Sequence, residues 1–293
     1  MQDYRMETFL TVCSCLNYTQ AAAALHITQP AVSQHIRYLE EAYGVRLFRQ
    51  EGKRVQLTRA GELLKSAALT MKHDELHIRR QLQQADRGRK KYAFGVTLTV
   101  AEYILPEDLV SFIRRHADSD ILMYTANTSS LLAKLDAGEL DFLVIEGDFP
   151  REEYDFFIYG REEYVAVADK ERALRYAGAG VTAVLKERLI TREKGSGSRE
   201  IMEQFLGRQG IRLEQFAAVL ELGNIGAMKE MVQAGLGISF LYKTAIRAGE
   251  GIYTVDIEGL PLVHEIMFVY RKGSIFKDDY RRLFKELRTR GRL

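Results

Sequence analysis

Apolar positions recur at helical spacing through most of the first 85 residues, then change to short runs of four to eight from about residue 91. This change of period is the main division of the chain. Residues 5–16 predict a helix that packs Phe9, Val12 and Leu16 on one face. Thr19 to Leu25 predict a second, opened by the Thr19 hydroxyl and built of alanines small enough for another helix to cross at close range. His26–Ile27–Thr28 breaks the pattern, and Pro30 stands where a first helical turn tolerates proline. A third helix then carries Val32, Ile36, Leu39 and Tyr43 inward, and Gly44 is placed to end it. The stretch LFRQEGKRVQLT reads as strand, basic turn and strand, with Gly52 permitting the reversal.

From Thr58 a long helix is predicted, with no proline to interrupt it. Leu64, Met71, Ile78 and Ala85 share one heptad position, and Ala60 and Ala67 begin the other before Asp74 and Gln81 spoil it. About 28 residues at 1.5 Å each make a rod of roughly 40 Å. Such a stripe calls for a partner, either a second copy of the rod or the chain's own domain. ADRGRKKYAFG reads as a hinge. After it, strands (YAFGVTLTV, ILMYTAN, DFLVIEG) alternate with helices (PEDLVSFIRRHA, SSLLAKLDAG), which predicts a parallel sheet with helices on both faces. Around Tyr159 to Val165 the chain is expected to cross into a second unit of the same kind. That unit holds EYVAVAD, ERLITRE, a helix from Arg199 to Leu206, AAVLEL, a helix from Ile225 to Ala234, and GISFLY. It returns near Ile266 to Val269, and a last helix spans Phe276 to Arg288. The expected domains are 1–60, a connecting helix 61–88, and 89–293, the last divided into 92–161 with 268–293 and 162–267.

The outer face of the third predicted helix shows Gln29, Ser33, Gln34 and Arg37: amides, a hydroxyl and one guanidinium. These groups match the donor and acceptor patterns of base edges in a major groove. With the preceding helix they have the form of a DNA-reading helix-turn-helix. Charge agrees with that reading. Residues 1–91 hold 15 Lys and Arg against 9 Asp and Glu, whereas the remainder holds 27 against 31, although the whole chain is only +2. A basic front on an acidic body assigns phosphate contact to the front. Cys13 and Cys15 are the only cysteines, and two residues apart on a helix they point to opposite sides, so no disulfide and no zinc site is expected. No signal pattern and no run of about 18 apolar residues occurs, and a cytoplasmic, non-membrane protein is expected.

Met6 to Gly61 resembles the winged helix-turn-helix of LysR-type transcriptional regulators. The residues that carry the resemblance are Ala21–Ala22, Leu25, Thr28 to Ser33, Ile36, Leu39–Glu40, Gly44, Leu47–Phe48, Leu57–Thr58 and Gly61. The family usually has Arg where this chain has Gln50, with Arg49 one place earlier. LDAGELDFLVIEG and EMVQAGLGISFL are similar to the family's effector domain, more diffusely. The resemblance implies an α/β chain with an N-terminal winged helix-turn-helix dominated by helices. It also implies a C-terminal domain of two α/β subdomains, similar to periplasmic binding proteins, around a ligand cleft. It further implies that the long helix pairs two subunits, that the assembly is a dimer and beyond that a tetramer, and that an inverted repeat in promoter DNA is the target. Gln29, Pro30, Ser33 and Gln34 are then expected on bases, with Arg37, Lys53 and Arg54 on phosphate.

In parallel α/β sheets, ligands sit beyond the carboxyl ends of strands, where helices begin. Here those positions include Thr97, Thr99, Asn127, Thr128, Glu146–Gly147, Thr191–Arg192 and Gly195 to Arg199. Of these, Thr97, Thr99, Asn127, Thr128 and Thr191 are the candidate effector contacts, and Thr99 and Thr128 also match places where the family binds effectors. Free N–H groups at helix starts favour anions, so a small carboxylate or oxyanion is expected. Serine, threonine and asparagine before helices also serve as plain caps. No catalytic or cofactor motif appears: GSGSRE is neither a phosphate loop nor a GxGxxG, and the six histidines are scattered. Two alternatives stay open: an α/β enzyme or solute-binding module with an incidental helix-turn-helix, and a repressor that needs no effector.

Overall fold

The computed structural model describes residues 3–51, 54–85 and 89–288. Helix α1 (Tyr4–Cys15) is capped by Asp3, whose carboxylate accepts from Arg5 N at 3.0 Å. It ends at Leu16 in the left-handed region, φ 47°, which turns that side chain out to solvent instead of into the core predicted for it. Helix α2 (Tyr18–Leu25) starts one residue earlier than the Thr19 hydroxyl suggests. The cap is Asn17, whose side chain accepts from Thr19 N and Gln20 N at 2.9 and 3.1 Å. Helix α3 (Gln29–Tyr43) is capped by Thr28 and stopped by Gly44 at φ +68°. Val32, Ile36 and Leu39 are buried with Phe9, Val12, Ala21 and Ala22, as the periodicity requires. Tyr43, read as part of that stripe, is exposed in the last turn. Strands β1 (Phe48–Glu51) and β2 (Arg54–Leu57) form the antiparallel wing, pairing Phe48 with Leu57 and Glu51 with Arg54.

Helix α4 (Arg59–Ala85) is the rod, 27 residues and so about 40 Å long. Its first turns belong to the winged domain: Leu64 and Ala68 pack into that core. Lower down the helix has two distinct faces. Leu63, Met71, Ile78 and Leu82 are exposed, Leu63 and Leu82 at 74% and 66%. The opposite face, which includes the Asp74 that spoils the heptad, is buried against the chain's own second domain.

That domain is one nine-stranded sheet bent into two lobes, strand order β4-β3-β5-β11-β6-β9-β7-β8 with β10 (Tyr253–Val255) on β6. The first lobe comprises β3 (Lys91–Val96), α5 (Pro106–Arg115), β4 (Asp120–Thr125), α6 (Thr128–Asp136) and β5 (Phe142–Ile145). The second comprises α7 (Lys170–Arg175), β7 (Arg188–Arg192), α8 (Gly197–Arg208), β8 (Ala218–Leu222), α9 (Ile225–Gln233) and β9 (Ile238–Tyr242). Within each lobe three strands are parallel, the first in sequence lying between the other two. β6 (Tyr154–Ala168) and β11 (Leu262–Arg271) pair antiparallel along their length and run through both lobes. Their register shifts between Ile266 and Met267, within the stretches where crossing was expected. Helix α10 (Lys277–Leu287) closes the first lobe, its Tyr280, Leu283 and Leu287 buried in the main core. β10, α7 and the unbroken length of β6 were not read from the sequence.

The junction of α4 with the first lobe is polar and buried. Thr70 Oγ1 donates to Lys272 O at 2.9 Å. Asp74 accepts from Ser274 Oγ at 2.6 Å and from Ile275 N at 3.0 Å. His73 Nε2 bonds Leu140 O at 3.1 Å, and His77 Nδ1 bonds Asp141 at 2.8 Å. Arg80 reaches both Asp141 and Gly138 O. Arg271, 0% exposed, spans from Asp136 (2.8 Å) to Ser66 O on the rod (3.2 Å).

Burial pushes the Asp74 and Asp141 carboxyls up, but their hydrogen bonds win. His73, Ser274 and Ile275 N hold Asp74 below the ordinary value of 3.8, and His77, Arg80 and Ala93 N do the same for Asp141. A lowered folded pKa means a contribution present in full above the unfolded value and lost as pH falls through the folded one. Asp141→Asn is therefore expected to cost about 1–3 kcal/mol at neutral pH. The deficit relative to the parent should shrink as pH drops below 3.8, where the parent carboxylate also takes up a proton. Urea unfolding of both proteins across that range checks it.

Candidate nucleic-acid interface and ligand cleft

The outer face of α3 presents Gln29, Pro30, Gln34 and Arg37 to solvent, with Ser33 half-buried among them. Gln29 Nε2 donates to Ser33 Oγ at 3.0 Å, so the two side chains one turn apart are already oriented together. Pro30 sits in the first turn, where Thr28 Oγ1 accepts from Ala31 N. His35 faces inward, bonded to Thr8 Oγ1 at 2.9 Å, and is a packing residue. On the wing, Arg49 donates to Gln56 Oε1 across the hairpin at 3.0 Å, while Gln50 pairs in register with Val55. Lys53 lies outside the described residues, and Arg54 is described through its backbone pairing alone.

The cleft between the lobes is shut where two glycines meet. Gly147, at φ +90°, lies so close to the first turn of α8 that a Cβ on it would stand 2.5 Å from Gly197 Cα. A Cβ on Gly197 would in turn meet Glu146 O at 2.3 Å. Beside them Gln204 of α8 bonds Asp148, and Gly195 approaches Asn127 and Ser129.

Behind these lips the structure brings together Thr97, Thr99, Thr128, Glu146 and Arg192. Glu146 is 1% exposed at the end of β5. Thr97 Oγ1 donates to its carboxylate, Thr99 adds a second side-chain bond, and Thr128 Oγ1 donates to its backbone carbonyl at 3.0 Å. Burial pushes the Glu146 carboxyl above its usual range, against the pull of Thr97, Arg192 and Thr99. Arg192, 4% exposed at the end of β7, gives Nε and Nη2 to Glu193 at 2.8 and 3.0 Å. Its Nη1 is buried without a hydrogen-bond partner, and so is the hydroxyl of Tyr242 at the end of β9. Tyr242 stands edge-on to Tyr164, 5.2 Å between centroids, and Tyr164 hydrogen-bonds Ser198 O at 2.7 Å at the start of α8. Burial first, and the nearby Glu146 charge second, raise both phenols, so each remains a donor. No side chain caps the first N–H groups of α8, because Ser196 bonds Ser198 instead.

All five candidate contacts already have partners within the chain, and two of them bond away from Glu146. Asn127 caps α6 through Ser130 N at 3.0 Å, and the Thr191 hydroxyl points to Met202 Sδ at 3.7 Å. Glu146 and Arg192 were named among the strand-end positions but not as candidate contacts, and Tyr242 was not named. The signal was present, since each ends an apolar strand (FLVIE, LITR, ISFLY) with a group that is costly to bury.

The family model described as the LysR substrate binding domain matches residues 85–292, and that of the bacterial regulatory helix-turn-helix protein, lysR family, matches 4–62. The chain belongs to the LysR family of transcriptional regulators. The RuBisCO operon transcriptional regulator of Allochromatium vinosum is 30% identical over 278 residues, covering 92% of this chain and 90% of that protein. The HTH-type transcriptional activator CmpR of Synechocystis is 30% identical over 280 residues, with the same coverage. Among solved structures, an H2O2-bound mutant of Corynebacterium glutamicum OxyR superposes with a TM-score of 0.59 at 23% identity, over 97% of this chain and 91% of that one. The Synechocystis CcmR regulatory domain in complex with 2-PG gives 0.59 at 21% identity, over 69% and 98%. Full-length CbnR complexed with its target DNA gives 0.56 at 19%, over 98% and 99%. This LysR-type chain is thus a sequence-specific DNA-binding regulator, its fold shared with OxyR and CbnR.

The glycine lips make a controlled prediction. Gly197→Ala places a methyl against Glu146 O and should cost about 1–3 kcal/mol by overpacking. Gly207→Ala on the same helix meets nothing within 4 Å and should be neutral or stabilising by up to about 1 kcal/mol. Chemical denaturation of the two variants and the parent reads the contrast.

Proposed function

We propose that Gln29, Pro30, Ser33 and Gln34 of α3 read bases in the major groove while Arg37, Lys53 and Arg54 hold phosphate. The exposed, uncharged polar face of α3, with Gln29 and Ser33 already paired, supports this. CbnR, whose fold the chain shares, is known bound to its target DNA. The assembly is a dimer through the exposed Leu63, Met71, Ile78 and Leu82 of α4, and a tetramer through the second domains. There β4 and α5 expose Leu122, Tyr124, Val110 and Ile113. Two copies of α3 then match an interrupted inverted repeat.

In the same reading a small oxyanion binds between the lobes and shifts how the paired α3 helices are spaced. The buried, unpartnered Nη1 of Arg192 is the observation that carries this. The 2-PG complex of CcmR shows a related fold holding a ligand. The protein acts in the cytoplasm as a regulator with no catalytic step. Among the described residues no helix is long and apolar enough to cross a membrane, and among them no three His, Cys, Asp or Glu side chains gather to hold a metal. Cys13 is buried, which pushes its thiol up to about 12 and keeps it unreactive.

Gln29→Ala or Ser33→Ala is expected to cost about 1–3 kcal/mol in operator binding and to relax sequence preference. Lys53→Ala should weaken all duplex DNA alike and flatten the salt dependence. Selection from a randomised operator pool, with binding titrated at several salt concentrations, separates the two roles. Unchanged preference in both α3 variants would show that another element reads the bases. Met71→Glu with Leu82→Glu should break the α4 pairing alone, so that light scattering at micromolar concentration reads a species of half the parent's mass.

A further inference from the structure

The cleft lies at the carboxyl ends of β3 and β5. At their amino ends, on the far side of the first lobe, a cavity of about 450 Å³ opens between α4, α5, α10 and the start of β3. Pockets that hold small organic molecules run from about 300 to 1,000 Å³. The same two strands serve both places. β3 leads from Lys91 at the cavity to Thr97 in the cleft, and β5 leads from Asp141 to Glu146.

The cavity walls are largely rings. Tyr92 of β3 and His116 at the end of α5 stand edge-on, 5.5 Å between centroids. His77 of α4 and Tyr280 of α10 lie 6.2 Å apart, and Leu283 follows one turn along α10. Charge around these rings is uneven, with five Lys and Arg against three Asp and Glu. Each acid is already answered. Asp141 accepts from His77, Arg80 and Ala93 N, Asp279 accepts from Arg282, and Glu286 lies 3.1 Å from His116 Nε2. Arg89 and Lys90, which line the cavity and are exposed, bring further positive charge to its mouth. Ring walls favour the faces and edges of a flat ring over saturated bulk of the same size. Guanidinium and ammonium groups at the mouth favour an acid group there.

We propose that this cavity is a second ligand seat, separate from the cleft, for a small organic anion with a flat ring system. The ring lies among Tyr92, His116, His77 and Tyr280, and the acid group lies on Arg89 and Lys90. Such an occupant touches the end of the rod, the entry to β3 and α10 at once, and so braces the rod against the first lobe. The seat does not depend on the oxyanion reading of the cleft.

Three probes of similar size separate ring from charge: 2-naphthoate is flat and anionic, 2-naphthamide flat and neutral, decalin-2-carboxylate anionic and saturated. The chain has no tryptophan, so fluorescence anisotropy of the naphthalenes reads binding to the full-length protein directly. Decalin-2-carboxylate is read by competition. 2-Naphthoate should bind at least about tenfold more tightly than either of the others. Arg89→Gln with Lys90→Gln should weaken 2-naphthoate about tenfold and leave 2-naphthamide within about twofold. Tyr92→Leu keeps apolar bulk but removes a ring, and should weaken both naphthalenes while decalin-2-carboxylate is unchanged. If Tyr92→Leu does not fold, the exposed Arg89 and Lys90 pair carries the test. Arg192→Gln, in the cleft, should alter none of the three. No binding of 2-naphthoate at millimolar concentration, or binding indifferent to the Arg89 and Lys90 changes, overturns the seat. Binding that Arg192→Gln removes belongs to the cleft and overturns it equally. Decalin-2-carboxylate binding as tightly as 2-naphthoate overturns the requirement for a flat ring.

Discussion

A row of buried polar groups on one face of α4 finds partners on the first lobe. Asp74 needs Ser274 and Ile275 N, His77 and Arg80 need Asp141, and Arg271 ties Asp136 to the rod's own backbone at Ser66. Removing one partner from such a part-buried pair costs about 1–3 kcal/mol, because the other loses a charge-assisted hydrogen bond. The lower half of the rod is therefore held in one place on the first lobe. Its upper turns are equally committed, with Leu64 and Ala68 in the core of the winged domain. One helix is shared by two cores, and its exposed apolar side remains for a second copy.

In the proposed reading α4 and the first lobe act as one body and the second lobe is the element that moves. It is joined through β6 and β11, whose pairing shifts register between Ile266 and Met267. Gly147 lies against Gly197, and Arg192 Nη1 and the Tyr242 hydroxyl are buried without partners. A ligand can favour one arrangement only by its difference in affinity for the two. In the proposed reading that difference has a chemical source: the buried Arg192 Nη1 gains an acceptor from the ligand, and a buried donor left unsatisfied costs about 1–3 kcal/mol. The same coupling must run back from operator to effector by an equal factor.

Much of this was legible in the sequence, and the failures have definite causes. The helix-turn-helix was readable because Pro30, Thr28 and Gly44 fix helix ends by local chemistry, and Val32, Ile36 and Leu39 keep a clean period. Leu16 and Tyr43 were misplaced because periodicity does not show where a helix runs past its core. Asp74 looked like a defect in a dimer seam. It is a contact to residues 200 and 201 positions away, which no local window reveals. Thr97, Thr99 and Thr128, chosen by the rule that ligands sit at strand ends, do lie together around Glu146. Glu146 and Arg192 were named at strand ends but passed over for hydroxyls and amides, and Tyr242 was not named, because a buried polar atom without a partner, as at Arg192 and Tyr242, exists only in three dimensions.

Native-state hydrogen exchange tests the shared-body claim most directly. Under increasing urea, the slowest amides of residues 70–80 should open with the same free energy and the same urea dependence as those of β3 and β5, as one cooperative unit. If residues 70–80 open at much lower free energy while β3 and β5 stay protected, the rod is not fixed to the first lobe. The route from cleft to DNA described above would then fail.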